Sequence, residues 1–126
     1  MAQLPEGMNW YIAKIVYQIV SGRGAHKPQF DEQFRLIKAD ELEWAWEKAQ
    51  VIGRMEENAF LNQKKEFVEW KYIAVEDVMK IETLEDGAQL YARTEEPCDM
   101  NEYITITQTR AKRFFDYRRN ISPNVF

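Results

Sequence analysis

Cysteine is nearly missing from this chain: Cys98 is the only one in 126 residues. That excludes an internal disulfide framework and any metal cluster built from several thiolates, and it fits a reducing cytoplasm. Histidine is equally scarce, with His26 alone, so a metal site would have to find its other ligands elsewhere. Long apolar runs are also lacking. No stretch approaches the roughly 20 apolar residues of a membrane-spanning helix, and residues 1–10 have neither a basic start nor an apolar run. The expectation is a protein that is neither secreted nor membrane-spanning and works in the cytoplasm.

What is present is an ordinary globular composition, with 45% hydrophobic, 13% aromatic and 30% charged residues, so the chain should fold. Its length suits one domain with a real core. The net charge of −4 argues against general nucleic-acid affinity. The cations are unevenly placed, however. Arg110, Lys112, Arg113, Arg118 and Arg119 form a local basic patch near the end of an acidic chain.

From Trp10 to Val20 the chain alternates, with Tyr11, Ala13, Ile15, Tyr17 and Ile19 on one face, and its β-branched and aromatic residues predict a strand. Ser21 to Pro28 holds two glycines and a proline and should form a loop. Phe30 to Ala39 reads as a second strand, giving an antiparallel hairpin. Asp40 with Glu43 has the spacing of a capping box, predicting a helix from Asp40 to about Glu56. Gly53 falls inside that pattern and could weaken or end it. Asn62 to Glu66 should be a loop.

Phe67 to Ile81 predicts a long strand in which Val68, Trp70, Tyr72 and Ala74 share a face until Glu76 and Asp77 break the alternation with a bend or bulge. Asp86-Gly87 signals a turn, after which Gln89 to Thr94 can return as a partner strand to Val78 to Glu82. Beyond Pro97, Asp99 with Glu102 resembles another cap, and the spacing predicts a helix from about Met100 to Arg119, although YITIT at 103–107 favours strand. The last residues, SPNVF, should be loose unless docked. The expected architecture is α+β: a four-stranded antiparallel sheet in ββαββ order over residues 8–96, one packed helix, and a basic helical segment at 97–126 docked on the domain or on a neighbouring subunit.

These stretches carry a resemblance. NWYIAKIVYQI near the start, FRLIKADELEWAWEKAQVIG across the strand-to-helix junction, VEWKYIAVEDVMKI and EDGAQLYAR resemble a family of small bacterial proteins known as domain of unknown function 4288, in which the Trp-Tyr-x-Ala-Lys opening and the later Glu-Trp-Lys-Tyr stretch recur in order. The chain resembles that family over roughly Met8 to Arg93. The resemblance implies a ββαββ-like domain in a bacterial cytoplasm and brings no activity and no catalytic residues with it.

Side chains that could carry chemistry are few. A loop histidine with no partner in view reads as solvent-exposed rather than catalytic. Gly22-Arg23-Gly24 lacks the longer glycine-rich loop and helix start of a phosphate site. The acidic pairs, such as Asp31-Glu32 and Glu76-Asp77, lie in turns or strands where neighbours point apart, which is a solvated arrangement and not a convergent one. An aspartate beside Cys98 should disfavour its thiolate. Neither a cofactor nor a metal is expected, and the chain reads as a non-enzyme.

The first helix is different. At about 100° per residue, Leu42, Ala45, Trp46, Ala49 and Ile52 gather on one side, and Trp44, Lys48, Val51 and Met55 on nearly the opposite side. One core cannot cover both stripes. The leading expectation is therefore an interaction module whose contact residues are Trp44, Lys48, Val51 and Met55, with Phe114 and Phe115 as cover and a second copy or an unidentified protein as partner. Two rivals are nucleic-acid binding through the basic patch, interleaved with Phe114, Phe115 and Tyr117, and a small-molecule site lined by Tyr11, Tyr17, Trp70 or Tyr72.

Overall fold

A computed structural model describes residues 4–119 of the chain. Its strands are β1 (Asn9–Ser21), β2 (Gln29–Ala39), β3 (Asn58–Leu61) and β4 (Phe67–Lys80), and its helices are α1 (Leu42–Met55) and α2 (Met100–Arg119). The strands form one antiparallel sheet in the order β2-β1-β4-β3. The chain divides into two compact units, Met1–Ala92 and Arg93–Phe126. Among the described residues, no helix is long and apolar enough to cross a membrane.

The expected hairpin of β1 and β2 is present, paired from Asn9↔Ala39 to Ile19↔Gln29 without a break in register. Alternation puts Tyr11, Ala13, Ile15 and Tyr17 of the central strand against α1, each buried. β4 runs along the other side of β1 with two irregularities, and the extra residues are Ile73 and Glu76. The bulge at Glu76 is the one expected from the sequence. Together the two bulges keep Tyr72, Val75 and Val78 opposite Tyr17, Ile15 and Ala13, so Val75, rather than the anticipated Ala74, continues the core face.

The fourth strand is not the one expected. Residues 82–99 contain no strand, and β3 at Asn58–Leu61 pairs with β4 instead. Four residues are too few to produce an alternation signal. The turn between them is nevertheless well built: Asn62 accepts the backbone N–H groups of Lys64 and Glu66 on its Oδ1, and Lys65 takes φ 61°. Asp86-Gly87 does turn, with Gly87 at φ 82° and Ala88 N–H on the Glu85 carbonyl. The chain after it is held by Tyr91, whose hydroxyl donates to Asp77 and whose ring lies 4.9 Å from that of Phe34.

α1 starts one residue later than a cap at Asp40 would require. Glu41 is the N-cap, in an extended conformation, and no side chain caps the helix. Asp40 still belongs to the strand exit, where its carbonyl accepts Asn9 Nδ2 at 3.2 Å. Only Ala45, Ala49 and Gly53 of α1 are buried, a stripe of small residues spaced by four that lets the helix sit close on the sheet. A Cβ on Gly53 would come within 2.6 Å of the Tyr72 ring, so glycine is here a packing requirement and the helix passes through it.

α2 meets its expected bounds. Asp99 Oδ1 accepts Glu102 N–H at 3.0 Å, which makes the cap, and Thr107 Oγ1 donates to the Tyr103 carbonyl inside the β-branched stretch.

Candidate interaction surface

The second stripe of α1 faces the β2 side of the sheet. Lys48 extends its Nζ to the Lys38 carbonyl at 3.2 Å, and between helix and strand lies an open groove of about 640 Å³. Met8, just before β1, and Ala39 of β2 line it from the sheet, and Trp44, Lys48 and Val51 from the helix. Trp44 is 59% exposed and Val51 56%. Three of the four expected contact residues on α1 therefore come together. Met55 shares the helix side, is more exposed still at 78%, and does not line the groove.

Two residues expected in the core are outside it. Leu42 and Trp46 are both exposed, because the close approach of Ala45, Ala49 and Gly53 narrows the buried stripe and leaves no room for a large side chain on its flank. Trp44 and Trp46 line a second depression with Glu43 and Glu47. The apolar surface of α1 is thus wider than its sequence pattern implies.

The outer edge of β2 borders this groove. Ile81 N–H donates to the Trp10 carbonyl, so the main chain of Trp10 points toward β4 and its partner Lys38 points away from β1. By alternation Phe30, Glu32, Phe34 and Leu36 also direct their N–H and C=O groups outward, and β2 is the last strand of its sheet. No strand among the described residues pairs with this edge.

On the helix side, β2 changes character. Ile37 and Ala39 lie under α1 and are buried, whereas Arg35, Gln33 and Asp31 continue past the helix end as a polar row. Asp31 Oδ2 accepts Gln33 Nε2 at 2.6 Å and Trp70 Nε1 at 3.2 Å; Arg35 donates to Gln33 Oε1 and ion-pairs with Glu56 at 3.6 Å. Sequence reasoning missed this row. The switch from apolar to polar at every second residue of β2 is the signal that could have found it.

The aromatic residues proposed to line a small-molecule pocket are committed to packing. Tyr11 and Tyr17 are buried, and the Tyr17 hydroxyl donates to the Gly53 carbonyl at 2.6 Å. Burial pushes the Tyr17 phenol above its ordinary range. Tyr72 meets Tyr17 edge-on with centroids 6.1 Å apart, Arg54 lies over Tyr72, and Trp70 stacks on Phe60 at 5.7 Å. On the opposite face Lys14 bridges Glu32 at 2.9 Å and Glu76 at 3.1 Å with only 12% of its side chain exposed. The hydrogen bond to Glu32 is the largest cause of its raised pKa, with Glu76 adding to it against the cost of burial.

His26 is occupied within its own loop: its Nε2 accepts Ser21 N–H at 3.0 Å and its Nδ1 donates to the Lys27 carbonyl at 2.7 Å. Among the described residues no group of three or more His, Cys, Asp or Glu side chains is placed to hold a metal ion. In the second unit, Phe114 and Phe115 are 68% and 54% exposed on α2. Arg110, Lys112, Arg113 and Arg118 point around the helix in several directions, with no single basic face. The side chain of Arg119 and the expected loose ending SPNVF lie outside the described residues.

No curated protein and no solved structure matches the chain. The family model described as Domain of unknown function (DUF4288) matches residues 10–92, which span β1 through the Asp86-Gly87 turn and the Tyr91 anchor, and the chain belongs to that family.

Proposed function

We propose that this protein is a non-enzymatic interaction module of the bacterial cytoplasm whose docking surface is the flank of α1 beside β2. The observation that carries the reading is Trp44, an indole 59% exposed on α1 at the wall of an apolar groove. Exposed tryptophan in such a setting is the residue type that most often anchors a protein contact. Val51 and the Lys48 stem extend the apolar wall, and Lys38, Asp40 and Glu47 give it a charged rim. Elsewhere in this unit Tyr17, Asp31 and Gln33 are engaged in hydrogen bonds within the fold and Trp70 stacks on Phe60, which supports binding over catalysis. A reducing compartment suits the single exposed Cys98.

The test is retention of a partner. The full chain and its Trp44→Asp/Val51→Asp variant are immobilised and exposed to extract of the producing cells and, separately, to free chain carrying a different tag. A protein held in stoichiometric amount by the native surface and lost from the variant is the expected result. Equal retention by both overturns the reading.

A further inference from the structure

Building on the interaction reading, we infer that the partner is a second copy of this chain, joined β2 to β2 in antiparallel fashion about a two-fold axis at Gln33. A dyad perpendicular to the sheet answers at once two features that are left unpartnered among the described residues of the Met1–Ala92 unit. It pairs the free edge of β2, and it keeps both copies of α1 on one face of a continuous eight-stranded sheet with their Trp44, Lys48 and Val51 flanks turned toward each other.

The residues of β2 choose the register. Because Phe30, Glu32, Phe34 and Leu36 direct their backbone groups outward, only registers that set even-numbered residues against even-numbered ones can form a ladder. With the axis at Gln33, Asp31 lies opposite Arg35 of the second copy, twice by symmetry, and Phe30 lies opposite Leu36. Moving the axis to Phe34 sets Asp31 against Ile37 and Phe30 against Lys38. Moving it to Arg35 sets two guanidinium groups against each other.

Lys38 makes the same choice independently. In the Gln33 register it lies opposite Pro28, which has no N–H to give. The Lys38 carbonyl is the one that Lys48 already satisfies from within its own chain. With the axis at Phe34, Lys48 would instead compete with the N–H of Phe30 from the second copy for that carbonyl. The groove between α1 and β2 thus ends the proposed ladder where proline ends it on the other strand. The Arg35 side chain, 37% exposed, is accessible to a second copy's Asp31.

Light scattering on the eluting full chain at about 100 µM should give twice the monomer mass of 15.0 kDa. Leu36→Pro removes one outward N–H and leaves the β1 ladder intact, so it should return the mass to 15.0 kDa with the circular dichroism of a folded protein. Should that variant not fold, cross-linking decides. Residues facing each other at a non-hydrogen-bonded antiparallel position have Cα atoms about 4.5 Å apart, within disulfide reach. Gln33→Cys in a Cys98→Ser background should therefore oxidise to a covalent dimer, and Arg35→Cys should not. A native chain that stays monomeric overturns the dimer, while retention of another protein through Trp44 would still support the interaction reading. Cross-linking at Arg35 in place of Gln33 overturns the register, and a dimer that neither substitution reports overturns the use of β2.

Discussion

Tyr17 and Gly53, 36 residues apart in the chain, are joined by a buried hydrogen bond of 2.6 Å from the phenol to the helix carbonyl. The last carbonyls of a helix have no partner within it, and Tyr17 supplies one from the middle of the central strand. The same glycine lets the Tyr72 ring lie against α1. Helix end and sheet centre are therefore locked by one polar and one steric contact.

Tyr17→Phe leaves that carbonyl buried without a donor and should cost about 1–3 kcal/mol in denaturant unfolding. Gly53→Ala gains about 1 kcal/mol of helix propensity but drives a methyl into Tyr72 and Ile15, so the unfolding midpoint should fall. Combining it with Tyr72→Ala should cost less than the sum of the two single changes. Strict additivity would show that the contact does not matter.

Gln50 sits on α1 with its Nε2 buried and without a hydrogen-bond partner. Replacing it by methionine, similar in length and apolar, removes the unsatisfied donor. Stability should rise by about 1 kcal/mol, the low end of the cost of a buried unpaired group. A loss on thermal unfolding would mean that the amide has a partner in solution.

Alkali should weaken the fold through Lys14 and Tyr17 together. Lys14 holds its proton more tightly when folded, chiefly through its hydrogen bond to Glu32, so its contribution is complete below the ordinary lysine value of 10.5 and is lost as pH rises through the folded value. Tyr17 likewise keeps its proton in the folded state because burial disfavours the phenolate, and the unfolded chain begins to gain by ionising near 10.0. Both make the folded state the greater proton binder, so stability must fall with pH in this range. Urea midpoints measured from pH 8 to 11 should decline beyond about pH 10, less steeply in Lys14→Met and in Tyr17→Phe.

Trp44→Ser and Val51→Ser alter side chains that lie mostly in solvent. Each should change unfolding free energy by no more than about 0.5 kcal/mol while abolishing partner retention. A large loss of stability would assign these residues to the fold instead of to a contact.

Legibility in the sequence followed the strength of local signals. The long alternations of β1 and β2, the bulge at Glu76 and the Asp99 cap of α2 can each be read within a few residues. β3 could not, since Asn58–Leu61 is too short for a period, and its place beside β4 is set by a tight turn at Asn62. Asp86-Gly87 was a correct turn signal attached to a false strand: the chain beyond it is tied down by Tyr91 on Asp77 and Phe34, not by a ladder. Of the candidate surface, Trp44, Lys48 and Val51 were visible as a second stripe. The outward edge of β2 and the exposure of Trp46 were not.

The amino-acid order by itself determined that α1 has more apolar surface than one core can hold, because helical periodicity depends only on spacing. It also determined the two faces of the hairpin, since side chains alternate along any strand. How much of the first stripe of α1 is buried was decided by tertiary structure, through the close seating of Ala45, Ala49 and Gly53 on the sheet that turns Trp46 outward and aims Lys48 at the rim of β2. Strand order was decided there as well, because pairing energy is collected between residues far apart in the chain, and nothing in the spacing of β4 alone says that its neighbours are β1 and β3.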